Sequence, residues 1–248
     1  MTNKTNILGV NIDVIAMEYA VETVLGFFEQ DGVKTIYTVG PEIAMHARKD
    51  KEYAEILNAG DLITPDGVGV VWASRLNKIK LSQRVGGCDL CTQLFTKMKD
   101  SGKTAYFLGG APGVAEKAKA NIERDFPGLK IVGVNDGFFD EEKEKLILEE
   151  INQLQPDLLL VGTGAPRQER WISANKKSLN CRVAIGVGGS LDVYAGNVKR
   201  APKFWVSINC EWLYRLLSEP RKRFRRQLKL PLFVFAVIVS KIFKKNRG

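Results

Sequence analysis

The chain carries a carboxylate, a hydroxyl and three glycine-rich turns of the kinds that suit transfer of a group from a phosphate ester. Asp66 sits in ITPDGVGV, just past a strand-like run, with Pro65 before it and Gly67 after it. A carboxylate there can accept a proton from a sugar hydroxyl, and burial would raise its proton affinity toward the working pH. An Asp ahead of a helix is also a common N-cap, and position alone slightly favours the cap. Thr38 is next to last in KTIYTV, which leads into Gly40-Pro41-Glu42, where Pro41 suits the first turn of a helix. GGAPG, with Gly109 and Gly110, follows a run ending at Leu108; GTGAPRQE follows Val161; GGSLD, with Gly188 and Gly189, follows Val187. Each reads as strand, glycine turn and helix start, where bare backbone N–H groups and the helix dipole can hold phosphate. A single such turn also closes ordinary β-to-α connections, whereas three on one edge favour a nucleotide or sugar diphosphate. None contains Gly-Lys-Ser/Thr, which disfavours a Walker NTPase. GGAPGV does not fit the dinucleotide fingerprint with its ribose-reading acid, which leaves an oxidoreductase as a runner-up.

These residues need a scaffold that brings strand ends together. Apolar runs predict strands at Asn6–Val10, Lys34–Val39, Asp61–Thr64, Thr104–Leu108, Lys130–Val134, Asp157–Val161 and Arg182–Val187. Apolar residues at three- and four-residue spacing predict helices over 16–30, 41–58, 67–77, 88–100, 112–126, 140–154 and 166–178. Strand-then-helix repetition implies an α/β, Rossmann-like body, a largely parallel sheet covered by helices on both faces. In such sheets ligands bind beyond the carboxyl ends of the strands. The chain's 248 residues suffice for one such body, 1–198, plus an appendage, 199–248.

That appendage is chemically distinct. It holds fourteen Lys and Arg against Glu211 and Glu219, a net +12 in a chain whose total is +9. The body is therefore slightly acidic, at about −3. The apolar run Leu230–Val239, LPLFVFAVIV, lies between RKRFRRQLK and KIFKKNR. Ten residues are too few to cross a bilayer, which takes roughly 20. The run is expected to lie in the interface of an anionic membrane, and the competing reading is a C-terminal core helix with a basic edge. A helix expected over about 202–218 places Trp205, Ile208, Trp212 and Leu216 on one face, able to pack on the body, a second subunit or lipid. Oligomeric state stays open. Nucleic acid is disfavoured, because no zinc-finger or RNP signature is present and the aromatics sit beside aliphatics. No signal peptide is visible at the start, so the body is expected in the cytoplasm. Cys88 and Cys91 form a C-x-x-C, but Cys181 and Cys210 are remote and His46 is the only histidine, a poor set for a structural zinc or a redox site.

Seven blocks, in order and covering nearly the whole chain, resemble the WecG/TagA/CpsF glycosyltransferase family. They are YTVGPE (37–42), AGDLITPDGVGVVWASR (59–75), RVGGCDL (84–90), FLGGAPGVAEKA (107–118), LLLVGTGAPRQERWI (158–172), IGVGGSLDVYAGNVKRAP (185–202) and EWLYRLLSEPRKRFRR (211–226). The likeness is greatest to the wall-teichoic-acid branch. It implies transfer of N-acetylmannosamine from its UDP sugar to undecaprenyl-diphosphate-linked N-acetylglucosamine, with inversion to a β linkage. The resemblance makes Asp66 the general base, and Thr38, Arg84 and Gln168 residues that place sugars and phosphates. It puts Phe138 and Asp192 at a uracil ring, and gives Gly188 and Gly189 backbone donors to the diphosphate. Arg215, Arg221 and Arg225 match basic positions that close over the site and stabilise departing UDP. Gly40 stands where the family usually has Asn, and Cys88 where Ser or Val is more common.

Many nucleotide-sugar transferases hold a divalent metal with Asp-x-Asp, and this chain has none. The expectation is metal-independent catalysis without a cofactor, arginines and helix N-termini neutralising the leaving group. The implied partners are a UDP-sugar donor, a polyprenyl-diphosphate-linked sugar acceptor and the cytoplasmic membrane face. The sequence leaves two alternatives: another UDP sugar, such as N-acetylmannosaminuronic acid or glucose, or a membrane-docked nucleotide-binding protein without catalysis.

Overall fold

The computed structural model describes residues 3–198, 202, 205, 213–214 and 229–245. The chain opens with an antiparallel hairpin, β1 (Lys4–Ile7) and β2 (Val10–Asp13). This corrects the single strand expected at Asn6–Val10: Leu8 and Gly9 take φ of 51° and 99° and turn the chain back. Asp13 Oδ2 accepts the Ile63 N–H at 2.9 Å and pins the hairpin to the sheet. The sheet itself comprises β3 (Lys34–Val39), β4 (Leu62–Pro65), β5 (Thr104–Gly109), β6 (Lys130–Asn135), β7 (Leu158–Gly162) and β8 (Val183–Gly186). Its order is β4-β3-β8-β7-β5-β6, with every pairing parallel. Each of these strands lies within one residue of its sequence expectation at both ends.

The helices are α1 (Met17–Phe27), α2 (Pro41–Ala47), α3 (Lys51–Asn58), α4 (Val68–Ser74), α5 (Gly87–Met98), α6 (Val114–Asp125), α7 (Glu141–Leu154), α8 (Arg167–Asn175), α9 (Ser190–Tyr194) and α10 (Lys229–Lys245). The helix expected over 41–58 is two helices. Asp50 interrupts it with an extended backbone and caps α3, accepting the Tyr53 N–H at 3.0 Å. An Asp side chain that competes for backbone donors favours such a restart over continuation.

Two apolar cores sandwich the sheet because successive strand residues point to opposite faces. Ile36, Phe107, Leu160 and Ile185 face one core with α1, α5 and α6; Tyr37, Tyr106, Leu159 and Ala184 face the other. On that second side α10 packs across α2 and α4 through Phe233, Ala236 and Val237, each no more than 2% exposed. The run expected to lie flat in a membrane thus has one face in the protein core, as the competing reading held. Its other face leaves Leu232, Phe235, Ile238 and Ile242 exposed. No described helix is long and apolar enough to cross a membrane. Of the stripe expected over 202–218, Trp205 is described, its ring 6.0 Å from that of Tyr214. Ile208, Trp212, Leu216, Arg215, Arg221 and Arg225 lie outside the described residues.

Candidate active site

Parallel pairing delivers the carboxyl ends of the strands to one edge of the sheet, and a cavity of about 1080 Å³ opens there. It joins the loop carrying Asp66 to the turns after β5, β7 and β8. Volumes of about 300–1,000 Å³ are usual for ligand sites, so this cavity has room for a nucleotide sugar and part of a second substrate.

Asp66 follows β4 and is fixed by the backbone on both sides. Its N–H donates to Val39 O at 2.9 Å, and Val85 N–H donates to Pro65 O at 2.7 Å. The capping position of α4 falls on Gly67, one residue later, so the N-cap reading of Asp66 fails. The Asp66 side chain is 39% exposed toward the cavity, with Arg84 Nη1 3.9 Å from its Oδ1. Arg84 directs its other terminal nitrogen to Asp89. Two glycines bring the neighbouring backbone close: a Cβ on Gly86 would stand 2.8 Å from Asp66 Oδ1, and one on Gly40 3.0 Å from Asp66 O. An Asn at position 40, usual in the resembling family, would therefore require the Asp66 loop to give by a few tenths of an ångström. Thr38 also reaches the cavity, and its hydroxyl donates to Gly186 O at 3.2 Å, tying β3 to β8.

The glycine turns form the other wall. Gly110 N–H donates to Gly162 O at 3.2 Å, and Gly110 O accepts the Gly137 N–H at 2.8 Å, which links the turn after β5 to those after β7 and β6. Gly110, Gly188, Gly189 and Asp192 line the cavity; Gly109 does not. A Cβ on Gly109 would come within 2.5 Å of the Gly162 backbone, so Gly109 serves the close approach of β5 to β7. Gly188 N–H is also committed, donating to Gln168 Oε1 at 2.9 Å. Donation of this N–H to a phosphate, as expected from the resemblance, requires Gln168 Oε1 to give up that bond.

Gln168 is held in turn by a residue the sequence reading missed. Its Nε2 donates to Glu169 Oε1 at 2.7 Å, and Glu169 Oε2 accepts the Tyr53 hydroxyl at 2.9 Å. Glu169 is fully buried, and burial pushes its carboxyl above the ordinary range, against the opposing hydrogen bonds from Gln168 and Tyr53. Each of Gln168's amide groups thus has one assigned partner, which fixes the direction in which the amide points. An acid in the first turn of a helix reads from sequence as a dipole partner, and nothing local marks this one as buried.

Phe138 is 68% exposed and lines the cavity, so the alternative of a core aromatic fails. Arg167, also not singled out from sequence, clamps its loop. The guanidinium donates to Gly137 O at 2.8 Å and Phe139 O at 3.3 Å, and lies 4.5 Å from the Phe139 ring centroid. Glu42, Met45 and His46 of α2, and Lys49 in the turn just after it, line the cavity. Leu232 brings α10 to the same wall. Of the C-x-x-C pair, Cys88 lines the cavity while Cys91 is buried, and burial pushes the Cys91 thiol far above its ordinary value, which argues against a dithiol redox site. Among the described residues no group of three or more His, Cys, Asp or Glu side chains is placed to hold a metal ion.

Residues 5–247 match the family model described as the glycosyl transferase WecG/TagA/CpsF family. The chain belongs to that family. It is 39% identical over 212 residues to a protein of Bacillus spizizenii, covering 86% of this chain and 81% of that protein. It is 35% identical over 220 residues to one of Bacillus subtilis (89% and 85%), and 33% identical over 242 residues to one of Staphylococcus aureus (97% and 94%). All three relatives are named N-acetylglucosaminyldiphosphoundecaprenol N-acetyl-beta-D-mannosaminyltransferase. Family membership makes this chain a glycosyltransferase on an α/β fold, and its cavity is where glycosyl transfer has to be sought.

Proposed function

We propose that this glycosyltransferase moves N-acetylmannosamine from UDP-N-acetylmannosamine to undecaprenyl-diphosphate-linked N-acetylglucosamine, the transferred sugar and the acceptor being those in the relatives' names. The observation that carries this reading is the cavity that joins Asp66 and Arg84 on one wall to the glycine turns on the other. Asp66 accepts the proton of the acceptor hydroxyl as its oxygen attacks the anomeric carbon. The bond from that carbon to the UDP oxygen breaks, and attack from the opposite face gives the β product. Positive character at the carbon and negative charge on the diphosphate develop together, so an enzyme gains most from groups that meet that charge only as it forms. Gly110, Gly189 and the start of α9 supply backbone dipoles near the diphosphate, and Arg215, Arg221 and Arg225 of the basic appendage, 199–248, supply cations. Phe138 and Asp192 hold the uracil, and Thr38, Arg84 and Gln168 place the sugars. The leaving group departs without a metal held by Asp-x-Asp. The protein works at the cytoplasmic face of the membrane, where its lipid-linked acceptor resides.

Incubation with a lipid-diphosphate N-acetylglucosamine analogue and a panel of UDP sugars, read by product mass, tests the reading. A product heavier by one N-acetylhexosamine, formed from UDP-N-acetylmannosamine alone, is expected. A product from another UDP sugar only would reassign the donor, and no product from any sugar would sink the assignment.

A further inference from the structure

The end of α4 and the segment joining it to α5 are built inside out. Their polar groups turn inward: Asn77 Nδ2 donates to Thr5 Oγ1 at 2.7 Å and to Asn6 O at 2.9 Å, while Thr5 Oγ1 donates to Ile79 O at 2.8 Å. Leu81 N–H donates to Ser74 Oγ at 2.9 Å, which closes the base of the loop. Ser74 and Leu81 are buried. What points outward is apolar and cationic: Trp72, Leu76 and Ile79 are 36%, 45% and 41% exposed, and Arg75, Lys78 and Lys80 between and beside them are exposed as well. Residues 67–88 contain no Asp or Glu. Water alone would favour the reverse arrangement, with leucine and isoleucine inward and asparagine outward. Hydrogen bonds to β1 hold the exposed form in place, so the apolar tip is presented by a fixed scaffold.

The helix that carries Trp72, α4, packs against the inner face of α10. Trp72 lies three residues from Gly69 on α4, on the same helix face, and a Cβ on Gly69 would sit 3.8 Å from the Phe233 ring of α10. α10 also leaves Leu232, Phe235, Ile238 and Ile242 exposed, and Leu232 lines the cavity wall. We infer that residues 72–80 are a second, rigid footing on an anionic bilayer, with Trp72, Leu76 and Ile79 in the acyl boundary and Arg75, Lys78 and Lys80 on lipid headgroups. Apolar side chains interleaved with cations, with an indole at the edge, are the chemistry of the membrane interface. This deepens the membrane-facing part of the proposed function and rests on it. One footing lets a protein roll about a helix axis. Two footings fix the angle at which the cavity meets the lipid-linked acceptor.

The test is co-sedimentation of the full chain with vesicles of phosphatidylglycerol and phosphatidylcholine, against phosphatidylcholine alone. Each cation near an anionic surface is worth about fivefold in partition, so the triple variant Arg75→Gln, Lys78→Gln, Lys80→Gln should bind the mixed vesicles about 100-fold more weakly. The double variant Leu76→Ser, Ile79→Ser should also bind less. Both should keep wild-type melting temperatures, because the replaced side chains are exposed, and both should keep turnover on a short-chain, water-soluble acceptor. A triple variant that partitions within threefold of wild type overturns the footing and leaves the membrane-facing reading intact. Wild-type protein that ignores anionic vesicles overturns that reading and the footing with it. A wild-type dimer that the double variant breaks, with vesicle binding unchanged, shows that the patch meets a second copy of the chain.

Discussion

Replacing Asp66 with Asn separates the proposed chemistry from structural support, because the two effects differ in size. Asn keeps the shape and leaves the backbone bonds of residues 65, 66 and 85 in place. The loss is a carboxylate 39% exposed, whose Arg84 neighbour is 3.9 Å away and also directed at Asp89. Exposed pairs of that kind contribute about 0–1 kcal/mol, which for a chain of this size moves the melting temperature by no more than about 4 °C. Removing a general base costs about 10²–10⁴ in rate, or about 3–5 kcal/mol of activation free energy at 1.36 kcal/mol per tenfold. The kinetic effect thus exceeds the structural one severalfold. Turnover on a lipid-diphosphate N-acetylglucosamine analogue should fall by two to four orders of magnitude, while calorimetric UDP affinity stays within about threefold of wild type. Turnover within tenfold of wild type would refute the base assignment. A loss of UDP affinity matching the loss of rate would instead make Asp66 a donor-site residue.

Further outcomes follow from the same geometry. Gly186→Ala would place a Cβ 2.8 Å from Gln168 Nε2 and displace the amide that Gly188 N–H depends on; UDP titration should show affinity reduced about tenfold or more, consistent with a buried hydrogen bond worth about 1–3 kcal/mol when one partner is stranded. Glu169 binds its proton more tightly folded than unfolded, so between its ordinary and its raised value the native state holds the extra proton and stability falls as pH rises. Glu169→Gln should remove that decline, seen as a flatter melting temperature against pH from acidic to neutral conditions; an unchanged slope would assign the decline elsewhere. Phe233→Ala opens a cavity under α10 and should loosen its docking by about 3–5 kcal/mol, read as faster proteolysis within 229–245 and a loss of transfer with UDP binding retained. EDTA should leave transfer unchanged, and activity abolished by EDTA and restored by magnesium would overturn the metal-independent reading.

The sequence by itself determined the layered α/β plan, because strand and helix periodicities are local and each of the six parallel strands is a short apolar run ended by a turn. It also determined which side chains reach the carboxyl edge: Asp66 and Thr38 sit at or just past strand ends, Gln168 opens a helix after a glycine turn, and parallel pairing carries all three to one place. Two local signals misled. Asn6–Val10 reads as one apolar run although Leu8 and Gly9 reverse it, and 41–58 keeps helical spacing across the break that Asp50 makes.

What only the tertiary structure decided depends on contacts distant in sequence. Glu169 looks like a solvated acid until Tyr53, 116 residues away, supplies its hydrogen bond. The bond from Gly188 N–H to Gln168 is invisible in the sequence, and Gly109 looks like a cavity wall until Gly162 stands behind it. The run Leu230–Val239 is equally apolar on both sides, so its sequence could not say which side faces protein. Packing on α2 and α4 made that choice for Phe233, Ala236 and Val237. Burial and partner choice are properties of the folded surface, set by which elements meet, and no window of neighbouring residues contains them.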